Sequence, residues 1–313
     1  MIEHFDTGFK RSYWFDSLII VWLPFANNGL SRGFCQTVAS LDSYSDVKIR
    51  SGIGDPVQLS DIHPVACASL ARVGNTHDGG YVVPIEAVQA SGALLSFGLS
   101  HDWTFERDFK SCNATAIVHC YDHTVSLRTA FQYSVGQLLR GIVLLRASAF
   151  RRALNWIDYL LFFRADKIHF RQRVWYDRQN NSVTIDDAFA RLPAHSPVFV
   201  KMDIEGSEYR VLEDLLRHSQ DITAMAIEFH DIDILSGPFN SLIEKIKQDF
   251  YIVHIHGNNM GGTTPFHFPN APELTFLNKR FFSSPPSPSS LKYPVPGLDN
   301  PNHPRLPEFA FEF

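Results

Sequence analysis

Short apolar runs alternate with amphipathic stretches from about residue 62 to residue 282. Several of the apolar runs have no polar face, which is typical of strands covered by helices on both sides. The predicted strands are 93–97, 116–121, 197–204, 224–229 and 251–256, and apolar residues recur at helical spacing in 208–216 and 239–250. Strands that alternate with helices predict an α/β fold with a Rossmann-like, doubly wound, mainly parallel sheet.

Two flanking segments and one internal stretch depart from this pattern. Residues 1–61 lack strong periodicity and are interpreted as an N-terminal extension. Residues 283–313 hold eight of the chain's 18 prolines, so we interpret them as an extended tail that is either loose or lies across the domain. Residues 135–178 are predicted to be a helical insertion, and 140–178 carry nine Lys and Arg against three Asp and Glu. The insertion either packs on the sheet with its arginines in water, or contacts an anionic partner or membrane face.

Composition narrows the class of protein. Of the 313 residues, 45% are hydrophobic and 19% are charged, which suits a folded core and excludes wholesale disorder. A net charge of −5 argues against a general nucleic-acid-binding protein. The four cysteines form no CxxC pair and are expected to be reduced thiols. The apolar run at 18–26 is too short to span a bilayer and makes a poor signal peptide, so a cytoplasmic location is expected.

The ends of the predicted strands carry the polar residues of interest. In such sheets, ligands bind beyond the carboxyl ends of the strands. Gly98 follows one strand in SFGLS, and Asp122 follows the next strand, 24 residues further on. An acidic residue about 20 residues after a glycine turn binds ribose hydroxyls in nucleoside-binding folds. The alternative is that Asp122 caps the next helix.

A third strand runs into KMDIEGSE. Lys201, Asp203 and Glu205 alternate, so they share one face if the strand continues that far, and Gly206 then ends it. Carboxylates here would face the cleft beside the N-terminus of the next helix. The alternative is an ion pair that only stabilises the turn.

Histidines follow two further strands. His230 lies two residues after Glu228, and His254 and His256 are also two apart. Any of these histidines could be a general base or simply a hydrogen-bonded core residue. With Asp203 and Glu205 they could also ligate a divalent ion. Their spacing matches no specific metal motif, so no metal is assigned.

Together these segments resemble the FkbM-like methyltransferases, which depend on S-adenosyl-L-methionine and have a seven-stranded Rossmann-like sheet of the class I methyltransferase type. The resemblance covers about residues 62–279, with 62–282 as the expected methyltransferase domain. It rests on GNTHDGGYVVP, LLSFGLSHDWTFE, YDHT, VFVKMDIEGSEYRVL, AIEFHD, VHIHGNN and ELTFL, in that order. The combination of KMDIEG with an upstream DGGY is specific, and the tail's LDNPNHP is similar to that of such sequences.

The resemblance implies roles for individual residues. Phe97, Gly98 and Ser100 would surround the methionine part of the cofactor, and Asp122 would hold its ribose. Asp203 and Glu205 would lie beside the sulfonium and the incoming nucleophile. The implied cofactor site would also include the DGGY residues Asp78, Gly79 and Gly80.

The resemblance also implies a reaction. Methyl transfer is an in-line displacement at a sulfonium, which carboxylates and aromatic faces such as Tyr81, Phe97 and Trp103 would stabilise. The expected acceptor is a hydroxyl of a small molecule, a glycan or a lipid-linked compound, with no nucleic acid involved. Its proton would pass to a base, either Glu205, Asp203 or His230. Lys201 would either lower the pKa of a carboxylate or orient a substrate anion.

The sequence leaves two other functions open. The SFGLS loop has fewer glycines than usual, which would suit a catalytically silent scaffold that lost its cofactor. The second alternative is a metal-dependent transferase or hydrolase built on the acidic residues and the histidines.

Overall fold

The computed structural model describes residues 56–144 and 154–313. Most of the predicted N-terminal extension, including the run at 18–26 and Cys35, lies outside the described residues. Within them Cys67, Cys112 and Cys120 are free thiols. No described helix combines the length and apolarity that crossing a bilayer requires.

The elements follow one another as in an α/β fold. They are α1 (Leu59–Ile62), β1 (Leu70–Gly74), β2 (Gly80–Pro84), α2 (Ile85–Ala90), β3 (Ala93–Phe97), α3 (Thr104–Cys112), β4 (Ile117–Tyr121), α4 (Leu127–Leu144), α5 (Asn155–Phe162), β5 (Lys167–Phe170), β6 (Arg173–Val174), β7 (Ser182–Val183), α6 (Ile185–Ala190), β8 (Val198–Met202), α7 (Glu208–Leu216), β9 (Ile222–Glu228), α8 (Ile232–Asp249), β10 (Phe250–Gly257), β11 (Pro272–Asn278) and a 3₁₀ turn (Lys279–Phe281).

Seven of the described strands form one sheet in the order β10-β11-β9-β8-β3-β4-β5. Strand β11 runs antiparallel to both of its neighbours, and the pairings among β9, β8, β3, β4 and β5 are parallel. The chain moves outward from β3 to β5 and then returns to β8 on the other side of β3. The prediction of a doubly wound, mainly parallel seven-stranded sheet is confirmed, and its switch point lies between β3 and β8.

Both faces of the sheet are buried, which explains why its central strands are continuous apolar runs. Strands β3, β8 and β9 are buried along their whole length. The predicted strand 197–204 is shorter in the structure and ends at Met202, because Glu205 and Gly206 adopt positive φ angles of 55° and 86°.

Other elements differ from the sequence prediction or were not predicted. Helix α8 starts at Ile232, seven residues before the predicted 239. Its first part precedes Pro238 and is interrupted by non-helical backbone angles at Leu235. The β1–β2 hairpin and the edge strand β5 were not predicted. Strand β5 is only four residues long and half-buried, so its sequence gives a weak signal.

The proline-rich tail packs on the domain. Tyr293, Val295 and Phe311 are buried in the same core as the sheet residues. Ser289 donates its backbone N–H to the carbonyl of Pro64. Of the two alternatives left by the sequence, the structure therefore shows a tail that lies across the domain.

The predicted helical insertion 135–178 begins within α4 and includes α5, and these two helices contact each other. Its last part is not helical as predicted, because it forms β5 of the main sheet and β6. Leu127, Phe131, Val135 and Leu138 form an exposed apolar row along α4. The side chains of Arg140, Arg146, Arg151 and Arg152 lie outside the described residues, so the anionic or membrane contact through 140–178 stays a prediction.

Candidate active site

The predicted polar residues meet at the carboxyl edge of the sheet because the parallel strands are in register. Phe97, the last residue of β3, pairs with Tyr121 of β4 and with Met202 of β8. The residues that follow these strands, Gly98, Asp122 and Asp203, therefore emerge side by side at the switch point.

Gly98 makes the close approach of two of these loops feasible. Its φ is +84°, and a Cβ at this position would lie 1.7 Å from the carbonyl oxygen of Asp203. The backbone also closes the contact, because Asp203 N–H donates to the carbonyl of Phe97 over 2.9 Å. A side chain at position 98 would thus clash with the β8 loop, whether or not a ligand is bound.

Asp122 holds the glycine loop in place. Its Oδ2 accepts the backbone N–H groups of Leu99 and Ser100, both at 2.9 Å. Its Oδ1 accepts the backbone N–H and the hydroxyl of Thr124, at 2.7 and 2.6 Å. Burial alone would raise the pKa of Asp122, but these hydrogen bonds outweigh it and hold the pKa below its usual value. A carboxylate has about four acceptor positions, so a ribose hydroxyl would have to replace one of these donors.

Lys201 is a buried cation under the same loops. Its ammonium donates to the carbonyl of Gly98 over 2.7 Å and lies 3.7 Å from Oδ2 of Asp203. Burial opposes the charge, yet the carboxylates of Asp203, Glu106 and Glu228 raise the pKa of Lys201. The lysine therefore ties the β8 end to the glycine loop as a permanent positive charge.

His230 lies at the centre of a group of carboxylates. Its Nδ1 is 3.2 Å from Oε1 of Glu208, a fully buried residue. Its Nε2 faces Asp203, Glu205 and Glu228 at 3.7, 3.7 and 3.8 Å. Burial lowers the pKa of His230, but the carboxylates around it outweigh this and raise the pKa well above the ordinary value. His230 therefore carries a proton at neutral pH, which makes it a poor general base.

Glu228 is the most buried carboxylate that faces Nε2 of His230. Its Oε1 accepts from Nδ2 of Asn258 at 2.8 Å, and the hydroxyl of Tyr81 lies 3.4 Å from Oε2. Burial and the charge of Asp203 raise the pKa of Glu228 well above its usual range. The site thus has more acidic side chains than Lys201 and His230 can pair with, which favours the protonated form of Glu228.

The tail completes one side of this acidic region. Asn302, only 5% exposed, donates to Glu273 at 2.7 Å and to Asp78 at 3.3 Å. Its Oδ1 is buried without a partner among the described residues. His256 lies between Glu273 and Glu308 at 3.0 and 3.1 Å. These contacts connect the tail to the DGGY turn and to the strands β10 and β11.

The structure places most of the predicted residues around this region. Asp203, Glu205, His230 and Lys201 come together, with the side chain of Glu205 88% exposed beside His230. Asp78 and Gly79 lie in the β1–β2 turn, and Gly80 begins β2. His254 instead pairs with Asp299 of the tail at 3.1 Å, away from that cluster.

The three aromatic residues that were expected to face the sulfonium do not all lie at the site. Tyr81 faces the site, since the ammonium of Lys201 lies 5.8 Å from its ring centre. The side chain of Phe97 is fully buried in the core. Trp103 donates to Asp158 and packs against Tyr159. Only Tyr81 is therefore placed to present an aromatic face to a cation in the site.

Glu106, Glu273 and Asn302 were not identified from the sequence. Glu106 is buried under the glycine loop, where its Oε1 accepts from the hydroxyl of Ser96 at 2.5 Å. The WTFE and LDNPNHP segments were visible in the sequence as parts of the resemblance. Nothing in the local sequence, however, shows that these side chains turn toward the site.

The strand order makes this a Rossmann-like, doubly wound sheet, with the candidate site at its β3–β8 switch point. The model of the methyltransferase FkbM domain matches residues 66–249. The chain therefore belongs to the FkbM methyltransferase family, as its motifs predicted, and it is a methyltransferase whose cofactor is S-adenosylmethionine.

Solved structures with a similar fold are distant. One chain of a fibrillarin/Nop5p complex is 11% identical, with a TM-score of 0.33 and coverage of 66% of this chain and 91% of that chain. Precorrin-6y C5,15-methyltransferase from Geobacter metallireducens GS-15 is 9% identical, with a TM-score of 0.32 and coverage of 62% and 86%. No curated protein matches the chain. Likenesses this weak carry no argument about the substrate.

The residues at the switch point suit this cofactor chemically. A sulfonium and an ammonium are cations, and the site has an excess of carboxylates to face them. Thr104, at the start of α3, has a buried hydroxyl without a hydrogen-bond partner in the described chain. We expect Gly98 and Ser100 to border the methionine part, with Asp203 beside the reacting end.

Proposed function

We propose that the protein methylates a hydroxyl oxygen of a small-molecule, glycan or lipid-linked acceptor. The observation that supports this is the group of carboxylates at the end of β8. A neutral hydroxyl attacks a sulfonium well only if its proton is removed, and a positioned carboxylate serves as the base. Oxygen and amide groups such as those of Asp203 and Asn258 also suit a ligand rich in hydroxyls.

The geometry favours Glu205 or Asp203 as the base over His230. The carboxylates around His230 keep its proton in place, so it orients the acidic side chains instead. Glu205 is exposed at the mouth of the site, where an acceptor can reach it. Asp203 is half-buried and is partly neutralised by Lys201. The enzyme's own residues thus supply an exposed base and a buried counter-charge.

The test is methyl transfer from labelled S-adenosylmethionine into a lysate separated into lipid, glycan, protein and small-molecule pools. We expect label in a glycan, lipid or small-molecule pool. The label should resist alkali, unlike an ester, and should be released as methyl iodide by hot hydroiodic acid, as a methyl ether is. Label confined to protein, or stable to hydroiodic acid as an N-methyl group, would refute O-methylation of these acceptors.

Glu205→Gln separates chemistry from binding. Loss of a general base should lower kcat about 10²- to 10⁴-fold, with little change in the affinity for S-adenosylhomocysteine. Glu213→Gln is the matched control, because Glu213 is an exposed residue of α7 that pairs with Lys245 outside the site. Full activity of Glu205→Gln would remove Glu205 from the mechanism and leave Asp203 as the candidate.

A further inference from the structure

We infer that Asp203, Glu228 and His230 form a binding site for one divalent cation of the Mg²⁺ or Mn²⁺ class. Each residue offers one ligand atom, and these atoms all lie within 4.8 Å of one another. A cation that binds oxygen and nitrogen at about 2.0–2.4 Å would close this spacing with small side-chain movements.

The histidine distinguishes this group from an ordinary acidic patch. Nδ1 of His230 is held by the fully buried Glu208, which directs Nε2 toward the carboxylates. A metal-bound histidine usually has its second nitrogen held by a carboxylate in this way, which fixes the ring and its tautomer. Glu208 is itself anchored, since its Oε1 accepts the backbone N–H of Ile204 at 2.9 Å.

Two of the ligand atoms, Nε2 of His230 and Oδ1 of Asp203, have no hydrogen-bond partner among the described residues, whereas Oε1 of Glu228 also accepts from Asn258. Nε2 of His230 and Oδ1 of Asp203 are 3.7 Å apart, too far for a direct hydrogen bond. The Asp203 carboxylate accepts no hydrogen bond from the described chain, and its nearest cation is Lys201 at 3.7 Å. A cation between these atoms would displace the Nε2 proton of His230 and take its place among the carboxylates.

The positions of the ligands in the fold also suit a bound ion. Asp203 follows β8, Glu228 ends β9, and His230 follows β9, so rigid neighbouring strands hold all three. The side chains of Glu228 and His230 are only 6% and 15% exposed. Two carboxylates and one imidazole form a ligand set rich in oxygen, which favours Mn²⁺ or Mg²⁺, whereas catalytic zinc sites usually have at least two histidine or cysteine ligands.

Cation binding does not depend on the acceptor, but its use in the reaction rests on the proposed O-methylation. A hydroxyl bound to a divalent cation loses its proton more easily, which would assist Glu205. The cation would also offset the repulsion between Asp203 and Glu228.

The experiment is a titration of Mn²⁺ into the full chain after EDTA treatment and removal of the chelator, with free Mn²⁺ followed by electron paramagnetic resonance. We expect one Mn²⁺ per chain, competed by Mg²⁺, and at least tenfold weaker binding in Glu228→Gln and His230→Ala. His218→Ala is the control, because His218 pairs with Asp186 on the surface. The inference would be overturned if the wild type left the signal of free Mn²⁺ undiminished, or if the two site variants bound Mn²⁺ as tightly as the wild type. Tight binding of Zn²⁺ without binding of Mn²⁺ would also overturn it.

Thermal unfolding guards against variants that simply fail to fold. In EDTA, Glu228→Gln should unfold at or above the temperature of the wild type, because it replaces a carboxyl group whose ionisation beside Asp203 is unfavourable by a neutral amide of similar shape. Mn²⁺ should raise the unfolding temperature of the wild type and not that of the variant. Equal stabilisation of both proteins by Mn²⁺ would contradict the site. Calorimetry with S-adenosylhomocysteine in EDTA tests cofactor binding separately. A protein without the cation site can therefore still be shown to bind the cofactor, and the reverse.

Discussion

Replacing Asp122 by alanine tests how the glycine loop is held. The change removes the acceptor of four hydrogen bonds, to Leu99, Ser100 and twice to Thr124. A buried donor left without an acceptor costs about 1–3 kcal/mol, and the N–H of Leu99 is buried, whereas the exposed Ser100 can turn to water. We therefore expect the free energy of unfolding to fall by about 2–4 kcal/mol at pH 7.

The assay is equilibrium unfolding in urea, repeated at low pH. Because the folded-state pKa of Asp122 lies below the unfolded value, its contribution is fully present above the unfolded value near 3.8 and disappears as pH falls through the folded one. The difference between wild type and Asp122→Ala should shrink accordingly below pH 4. Asp214→Ala is the control, since its exposed pair with Arg217 is worth at most about 1 kcal/mol. A loss below about 0.5 kcal/mol in Asp122→Ala would refute the loop-anchoring role.

Binding of S-adenosylhomocysteine separates the anchoring role from direct contact with ribose. Asp122→Ala should abolish binding in either case, so it does not discriminate. Thr124→Val removes one donor to Oδ1 and frees an acceptor position. If ribose binds at Asp122, this variant should keep or improve its affinity, whereas a purely structural role predicts a modest loss.

Two further predictions concern buried charges. Lys201→Met should lower the free energy of unfolding by about 3–5 kcal/mol, because it leaves Glu106 and Asp203 without their cation, and added Glu106→Gln should restore part of the loss in urea unfolding. Burial lowers the pKa of His256, but Glu273 and Glu308 outweigh it and raise the pKa from 6.5 to about 9, so the pair stabilises the fold below pH 6.5 by about 3 kcal/mol and loses this as pH rises through about 9. His256→Gln should therefore be markedly less stable than the wild type at pH 6 and similar to it above pH 9, and a constant difference would contradict the ion pair.

The fold was predictable because burial on both faces leaves a strong apolar signal in each central strand. Strand β3 was predicted at its observed bounds. The predicted bounds of β8 differ from the observed ones by one residue at the start and two at the end. The prediction failed where a strand is only partly buried and where a proline interrupts the helical pattern. Strand β5 is short and half-exposed, and Pro238 concealed the true start of α8.

The candidate site was predictable as a set of residues but less so as an arrangement. Parallel register brings the residues after β3, β4 and β8 together, and a sequence pattern can anticipate this. The same pattern does not show that the carboxylate of Asp122 already accepts hydrogen bonds from Leu99, Ser100 and Thr124. It also does not show that the ring of Phe97 points into the core. It also does not show that Asn302 reaches Asp78, because that contact spans 224 residues.

Several residues of this site therefore have a structural role whatever their role in the reaction. Gly98 prevents a clash with Asp203, Lys201 binds the loop that Gly98 begins, and Glu208 orients His230 from outside the cleft. Loss of activity on substitution at any of them would follow from a displaced loop as readily as from lost chemistry. Only a variant that keeps cofactor binding and stability while losing turnover identifies a chemical group. The exposed Glu205, with no hydrogen-bond partner among the described residues, is the position where this criterion can be met most cleanly.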